Sequence, residues 1–452
     1  MVIKKNGGKV IASGGFGCVF NPALLCKNTT KRDKNKVTKL MKTKHAISEY
    51  NEINLIKNSI SNIPNYEDYF LVNNFTICEP APLTKEDLDN YSKKCTALPK
   101  SEILKDNINN SLDKILALNM PNGGIAIDDF MKNNNSYYNL VKINNCLINL
   151  LKFGVIPMNK LYIFHCDIKD SNILIESNNN KFKTRLIDWG LTTKYVPNTD
   201  QTFPSSWKNR PLQYNSPFSL ILFTDVFIEK YTKYCKKGGI IDHIHLKPFV
   251  IDYIFLWIKE RGPGHYKFIN KIMNILFGNE LNNIEEPMKV TLIENEFTMI
   301  YISNYLIQIL IHFTHFRKDG SLNLRIYLDN VFIKIVDIWG LISSYMPFLE
   351  ILHENYRFLD TNQLSIFNEL KKIFIKYLYD PRIDPISIPS LTKDLKKLNH
   401  YFEIKTTNTN SKISSSLKTL TLNTRQLSLN KKTKKKSYSS KSKNHSSTQK
   451  II

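Results

Sequence analysis

Between Phe164 and Gly190 the chain sets two polar groups of fixed composition against apolar, β-like runs. The first reads Phe164-His165-Cys166-Asp167-Ile168-Lys169-Asp170-Ser171-Asn172 and runs into Ile173-Leu174-Ile175; the second is Arg185-Leu186-Ile187-Asp188-Trp189-Gly190. No other feature constrains the fold as strongly, since a carboxylate, an amine and an amide recur at set offsets and an acidic residue closes a strand beside a glycine hinge. Each residue type has a chemical task in such a place. A carboxylate accepts a hydroxyl proton, an amine steadies a phosphate in transfer, and amide and carboxylate oxygens ligate a hard cation such as Mg²⁺.

The N-terminal part places a glycine-rich turn between β-like runs: Ile11-Ala12-Ser13-Gly14-Gly15-Phe16-Gly17-Cys18-Val19. Glycines let backbone amides approach a phosphate with no Cβ in the way, although a plain tight hairpin reads the same. Lys39 lies in the next predicted strand, Val37 to Met41. From Ala46 to Ile60 the spacing of Ile53, Ile56 and Ile60 predicts a helix. Farther on, Met299 to Phe316 is the most apolar stretch, but Asn304, Gln308 and His312 recur every four residues and mark one polar helical face. That stripe predicts an amphipathic helix of a soluble protein rather than a membrane span. Gly262-Pro263-Gly264 reads as a turn before a helix carrying Ile269, Ile272, Met273 and Leu276, with Gly278 as its C-cap. A phosphate-binding turn is the sharper reading there and a simple helix start the plainer one.

At 452 residues the chain can bury two or three core-forming units. Its net charge of +23 suggests nucleic acid until it is located. The segment 404–452 holds twelve Lys or Arg and no Asp or Glu, leaving +11 for the body. Rich in Ser, Thr and Asn, this segment is expected to be a disordered basic tail, either a solvated extension or a weak contact for nucleic acid or an acidic partner. Seven cysteines with no C-x-x-C pair indicate neither a disulfide framework nor a zinc cage, and with no apolar signal segment the chain is expected to be intracellular. No uninterrupted apolar run of about 20 residues is present, and no membrane association is expected.

Taken in order, these motifs resemble the eukaryotic-type serine/threonine protein kinase family, over roughly Lys5 to Tyr401. Val336-Asp337-Ile338-Trp339-Gly340-Leu341 is similar to the family's later helix, whose Asp braces the catalytic loop. The nearest flavour is the divergent kinases of large DNA viruses, mimivirus-like, which would place the protein in host cytoplasm or virion. The resemblance implies a two-lobed α+β fold with ATP and Mg²⁺ as cofactors and a protein substrate bearing Ser or Thr. A small β-rich lobe would span 5–120 and a larger helical lobe 121–403. It further implies that Ile11, Gly14, Gly15, Gly17 and Val19 cover the nucleotide and that Lys39 holds its phosphates. Glu52 would pair with Lys39, being followed by Ile53 and Ile56 and better spaced than Glu49. Leu118 and Met120 would line the adenine pocket, in Leu118-Asn119-Met120-Pro121-Asn122-Gly123-Gly124. Asp167 would be the catalytic base, Lys169 the phosphate-steadying residue, and Asn172 and Asp188 the Mg²⁺ ligands.

Several positions depart from the family pattern. Ala12 replaces the first loop glycine, and Trp189 replaces the usual Phe. Asn215-Ser216-Pro217-Phe218 stands for Ala-Pro-Glu without its Glu, leaving Arg382 a loose match for the missing partner. An insertion of roughly a hundred residues, about 219–330, precedes Asp337. Cys166 occupies the place of an Arg that in many family members meets a phosphorylated loop. A phosphate on Thr192, Thr193, Thr199 or Thr202 would therefore lack that partner. A pseudokinase scaffold and a small-molecule kinase of the same fold are the alternatives, and a nucleic-acid binding protein would rest on the tail alone.

Overall fold

The computed structural model describes residues 8–178, 181–199 and 203–407. The expected tail, 404–452, lies outside the described residues except for the last turn of the helix Ile388–Thr407. The N-terminal part is a five-stranded antiparallel sheet: β1 (Lys9–Ser13), β2 (Gly17–Asn21), β3 (Lys36–Lys42), β4 (Thr76–Cys78) and β5 (Ile115–Pro121), in the order β1-β2-β3-β5-β4. Alternation along the strands sorts two faces. Val10, Cys18, Phe20, Leu40 and Ala117 form one small core, while Met41 and Leu118 turn toward the main core of the chain.

The small core is closed by the connection between β4 and β5. Its Leu83, Leu88, Tyr91, Leu98, Ile103 and Ile108 pack on the outer face of the sheet. The disulfide Cys18–Cys95 ties it to β2, and a second, Cys26–Cys78, joins the end of β4 to the segment between β2 and β3. This corrects the expectation that the cysteines are unpaired. The partners lie 77 and 52 residues apart in sequence, so only the folding of the whole N-terminal part brings them together, and no local spacing announces it.

The helix Thr43–Ile60 follows β3 after a single turn of direction and buries Ala46, Ile53, Ile56 and Ile60. Beyond β5 the chain is predominantly helical, with Ile163–Phe164 paired to Thr193–Lys194 and a three-stranded sheet in which Ile125–Ala126 joins the hairpin Ile173–Asn178/Lys181–Leu186. The 219–330 region is itself helical: Asp225–Lys236, His243–Arg261, Gly264–Phe277, Glu286–Leu292 and Met299–Phe313. In Met299–Phe313 the residues Asn304, Gln308 and His312 form the less buried edge, as the four-residue spacing predicts. Gly262, with φ of 87°, makes the turn between the second and third of these helices.

Among the described residues two continuous helical runs, Tyr137–Lys160 and Arg325–Glu354, are long and apolar enough to span a bilayer by length and composition. The second is 89% buried within the protein over its apolar window, and its inward face carries Asp329 and Asp337, both buried. It is the central rod of the helical part, and its apolar sequence reflects burial from every side.

Candidate functional site

The register of the sheet builds the first half of the site. Val19 on β2 and Leu118 on β5 both lie opposite Lys39 on β3, so the three form one row across adjacent strands. The glycine-rich turn closes above them, with the Gly14 amide donating to the Gly17 carbonyl at 2.9 Å. A Cβ on Gly14 would lie 3.8 Å from Lys39 Cε, so the turn faces the lysine; a Cβ on Gly17 would meet Met41 Cγ at 2.3 Å and the Leu40 carbonyl oxygen at 2.6 Å. Gly17 is therefore required by packing against β3, whereas a Cβ on Gly14 would make only ordinary contacts and nothing crowds Gly15. Ile11 is exposed on β1 and Met120 half-buried on β5. The base of the turn is pinned by the β4–β5 connection, whose Thr96 and Ala97 amides donate to Ser13 Oγ at 3.1 Å.

Lys39 is 8% exposed. Its Nζ donates to both carboxylate oxygens of Glu49, at 2.8 and 2.7 Å, and lies 3.6 Å from Asp188 Oδ1. Burial alone would push the ammonium down, but Asp188 and Glu49 outweigh it and hold Lys39 above the ordinary lysine range. The expected partner, Glu52, is corrected to Glu49. The inward stripe of the helix runs Ala46, Glu49, Ile53, Ile56, Ile60, in steps of three and four, and Glu52 sits to one side of it, where Ser48 Oγ donates to its carboxylate at 3.0 Å. The signal was present in the spacing from Ala46 to Ile53; counting residues from Lys39 obscured it.

The second half is the loop after Phe164. Asp167 is buried and accepts at both oxygens: Lys169 Nζ at 2.8 Å and Asn172 Nδ2 at 3.0 Å on Oδ2, Asn215 Nδ2 at 2.9 Å on Oδ1. Burial opposes its charge, yet the Lys169 ammonium and the hydrogen bonds from Lys169 and Asn215 prevail, so the carboxyl is held below the usual aspartate range. His165 fixes the loop from beneath: its Nε2 lies 3.0 Å from the Ile187 carbonyl and its Nδ1 3.3 Å from the Asp167 amide. A carbonyl only accepts and an amide only donates, so the proton sits on Nε2. Asp337, expected as the brace, accepts the His165 and Cys166 amides at 2.9 and 2.8 Å and Asn159 Nδ2 at 2.7 Å.

Asn172 and Asp188 are brought together through the backbone, the Ile187 amide donating to the Asn172 carbonyl at 3.0 Å. With its Nδ2 committed to Asp167, Asn172 presents Oδ1 as the ligating atom. Asp188 adopts φ of 65° and keeps its side chain 38% exposed, while Trp189 turns inward, 5.7 Å from Phe70 by ring centroid and 4.9 Å from His165. Among the described residues no three His, Cys, Asp or Glu side chains gather as a metal cage. An amide oxygen and a carboxylate are instead the donor set of a Mg²⁺ site completed by substrate phosphates and water, and the residues fit that ion.

Two groups missed from sequence complete the arrangement. Asn215, from the degenerate Asn215-Ser216-Pro217-Phe218, reaches Asp167 and also donates to the Ile168 carbonyl at 3.2 Å. Arg210 donates to the Cys166 carbonyl at 2.9 Å, so a guanidinium does stand beside Cys166, but it comes from the segment after Asp188. Arg382 hydrogen-bonds the Lys376 carbonyl and takes no part. Where a Glu is absent, Phe218 is fully buried against Trp339, Tyr305 and Tyr379 at ring distances of 5.3, 5.7 and 5.8 Å. A packed aromatic cluster replaces a buried ion pair, an exchange that costs a fold little.

Residues 107–213 match the model of a family described as the ABC1 atypical kinase-like domain. That stretch, 107 of the 452 residues, is similar to a kinase-like domain. The matched stretch runs from the approach to β5 through Asp167, Lys169, Asn172 and Asp188 to the segment containing Arg210. No curated protein matches the chain as a relative. The kinase-like domain, a β-sheet N-terminal region followed by a helical C-terminal part, agrees with the two-lobed α+β expectation.

Proposed function

We propose that the protein is an ATP- and Mg²⁺-dependent phosphotransferase acting on Ser or Thr hydroxyls of a protein substrate. The observation that carries this reading is the meeting of Lys39 with Glu49 and Asp188. Groups from three separate parts of the sequence converge there, and a buried ammonium held between two carboxylates beneath the glycine-rich turn is placed to meet a phosphate. ATP complexed with Mg²⁺ would supply the phosphoryl group and charge neutralisation when bound. Lys39 orients the phosphates, Asn172 and Asp188 offer the metal its protein oxygens, and Leu118, Val19 and Met120 supply apolar surface for the base.

Asp167 then serves the acceptor. Its carboxyl is held ionised at neutral pH, and three donors leave it fixed in one orientation, able to orient a hydroxyl and take its proton as the O–P bond forms. Lys169, 2.8 Å from Asp167, would follow the transferring group. The serine/threonine assignment rests on Lys169 standing two residues after Asp167, the position that resembles serine/threonine kinases. A small-molecule acceptor is the second reading, favoured by the match to an atypical kinase-like family. The viral resemblance belongs to this proposal as well. Of the settings expected from it, the virion fits two disulfides better than reducing cytosol. Any nucleic-acid or acidic contact is assigned to the basic tail.

The test is incubation of the purified chain with labelled ATP, Mg²⁺ and, in parallel, a panel of basic proteins and a panel of small hydroxyl compounds. Label on Ser or Thr, abolished in Asp167→Ala, supports the proposal. Label only on a small molecule establishes the second reading, and nucleotide binding without transfer to either panel leaves a scaffold.

A further inference from the structure

The segment following Asp188 is fastened on both described flanks by groups outside it. On the first flank the Tyr195 hydroxyl donates to Asp329 Oδ1 at 2.6 Å and the Asn198 amide to Oδ2 at 3.0 Å. Asp329 is 4% exposed and Tyr195 fully buried. The helical run that bears Asp329 also bears Asp337, so one rod holds the catalytic loop through one carboxylate and the segment through another. On the second flank the fully buried Trp207 donates its indole N–H to Cys166 Sγ at 3.1 Å and packs on Phe164, Tyr195 and Phe332. Arg210, which holds the Cys166 carbonyl, has its own carbonyl tied to the Trp257 indole at 2.9 Å, and Trp257 belongs to the insertion helix His243–Arg261.

These contacts use no anion beyond the carboxylate of Asp329. Before Asp167 stands a buried thiol that receives an indole N–H, and the guanidinium beside it, that of Arg210, donates to the Cys166 carbonyl and lies in the field of the Asp167 and Asp337 carboxylates, so no phosphate is needed as its counter-charge. The Thr193 hydroxyl is itself buried and bonded to Ser206 Oγ at 2.5 Å, which leaves no room there for a phosphate. Thr202 lies outside the described residues.

We propose that the 219–330 insertion and the rod at its end form an internal brace, with Asp329 and Tyr195 as positioning residues that keep this segment docked on the catalytic loop without phosphorylation of the chain. The inference rests on the kinase reading for its kinetic consequence, but the fastening can be read without catalysis.

The full chain, produced in bacteria and treated with phosphatase until mass spectrometry finds no phosphate, is compared with Asp329→Asn and Tyr195→Phe. Hydrogen exchange should show the Asn198 amide protected in the phosphate-free wild type and about tenfold or more less protected in Asp329→Asn. In peptide phosphorylation, phosphatase treatment should change the wild-type rate less than twofold. Each variant should lower kcat about tenfold while leaving KM for ATP within about twofold. An unprotected Asn198 amide in phosphate-free wild type overturns the brace, whatever the activity. So does a tenfold loss of rate on dephosphorylation, or wild-type kcat in both folded variants. A protected amide in a protein that transfers no phosphate supports the brace and refutes the kinase reading instead.

Discussion

Replacing Glu49 by Gln should separate the two candidate partners of Lys39. Glu49 receives two short hydrogen bonds from an ammonium that is itself buried, at 2.7 and 2.8 Å. Removing one member of a buried pair costs about 3 to 5 kcal/mol when nothing replaces it. Here Asp188 stands 3.6 Å from the same Nζ, and Gln keeps one neutral acceptor, so the loss should fall to roughly 2 to 4 kcal/mol. Lys39 would lean toward Asp188 and draw that carboxylate away from the metal position. Were all of that cost felt in the barrier, kcat/KM for ATP would fall roughly 900-fold, which is the upper bound, and a fall of about 30-fold is the expectation. Glu52→Gln removes only a contact with Ser48 on the outer side of the helix and should stay within about twofold. The assay is initial rates over an ATP titration, with thermal unfolding to show that both variants are folded. Equal losses in the two, or a larger loss in Glu52→Gln, would refute the geometry argued from the helix stripe.

Asp167→Ala should keep nucleotide binding and lose roughly 10²- to 10⁴-fold in turnover, read by parallel thermal-shift and phosphorylation assays. Asp188→Asn should weaken binding of ATP with Mg²⁺ more than binding of ATP alone; identical titration shifts with and without the metal would contradict the ligand assignment. Asp170 tests the electrostatics of the loop, because burial and then Asp128 push its carboxyl up to about 6 from the model-peptide 3.8. Its proton is held more tightly in the folded state, so the stability it lends is complete below about pH 4 and lost as the pH rises through about 6. Asp170→Asn should match wild type in urea near pH 4 and exceed it by up to roughly 3 kcal/mol at pH 7. A constant difference across that range would show that the carboxyl is not so perturbed.

The strands around the glycine-rich turn, the helix after Lys39 and the turn at Gly262 were legible because each is written in local periodicity. The meeting of Asp167, Lys169 and Asn172 was also legible, since the three stand in one short loop, whereas Asp337 as its brace was implied only by the resemblance of its helix, its contacts lying 171 and 172 positions away. Glu49 was misjudged because a helix selects its inward face by angle, and three residues along the chain turn a side chain from the stripe to its flank. Asn215 and Arg210 escaped because they reach the loop from 48 and 44 positions away, at the end of a segment whose sequence carries no periodic signal.

By itself the sequence determined which polar residue types stand at which offsets and which strands and helices hold them, because periodicity and residue type act over a few positions. Tertiary structure decided the pairings across distance: Cys18 with Cys95, Lys39 with Glu49, Tyr195 with Asp329, Trp207 with Cys166. Each depends on two elements packing at one angle and depth. That packing is set by the summed burial of many apolar side chains, and no motif around either partner records it.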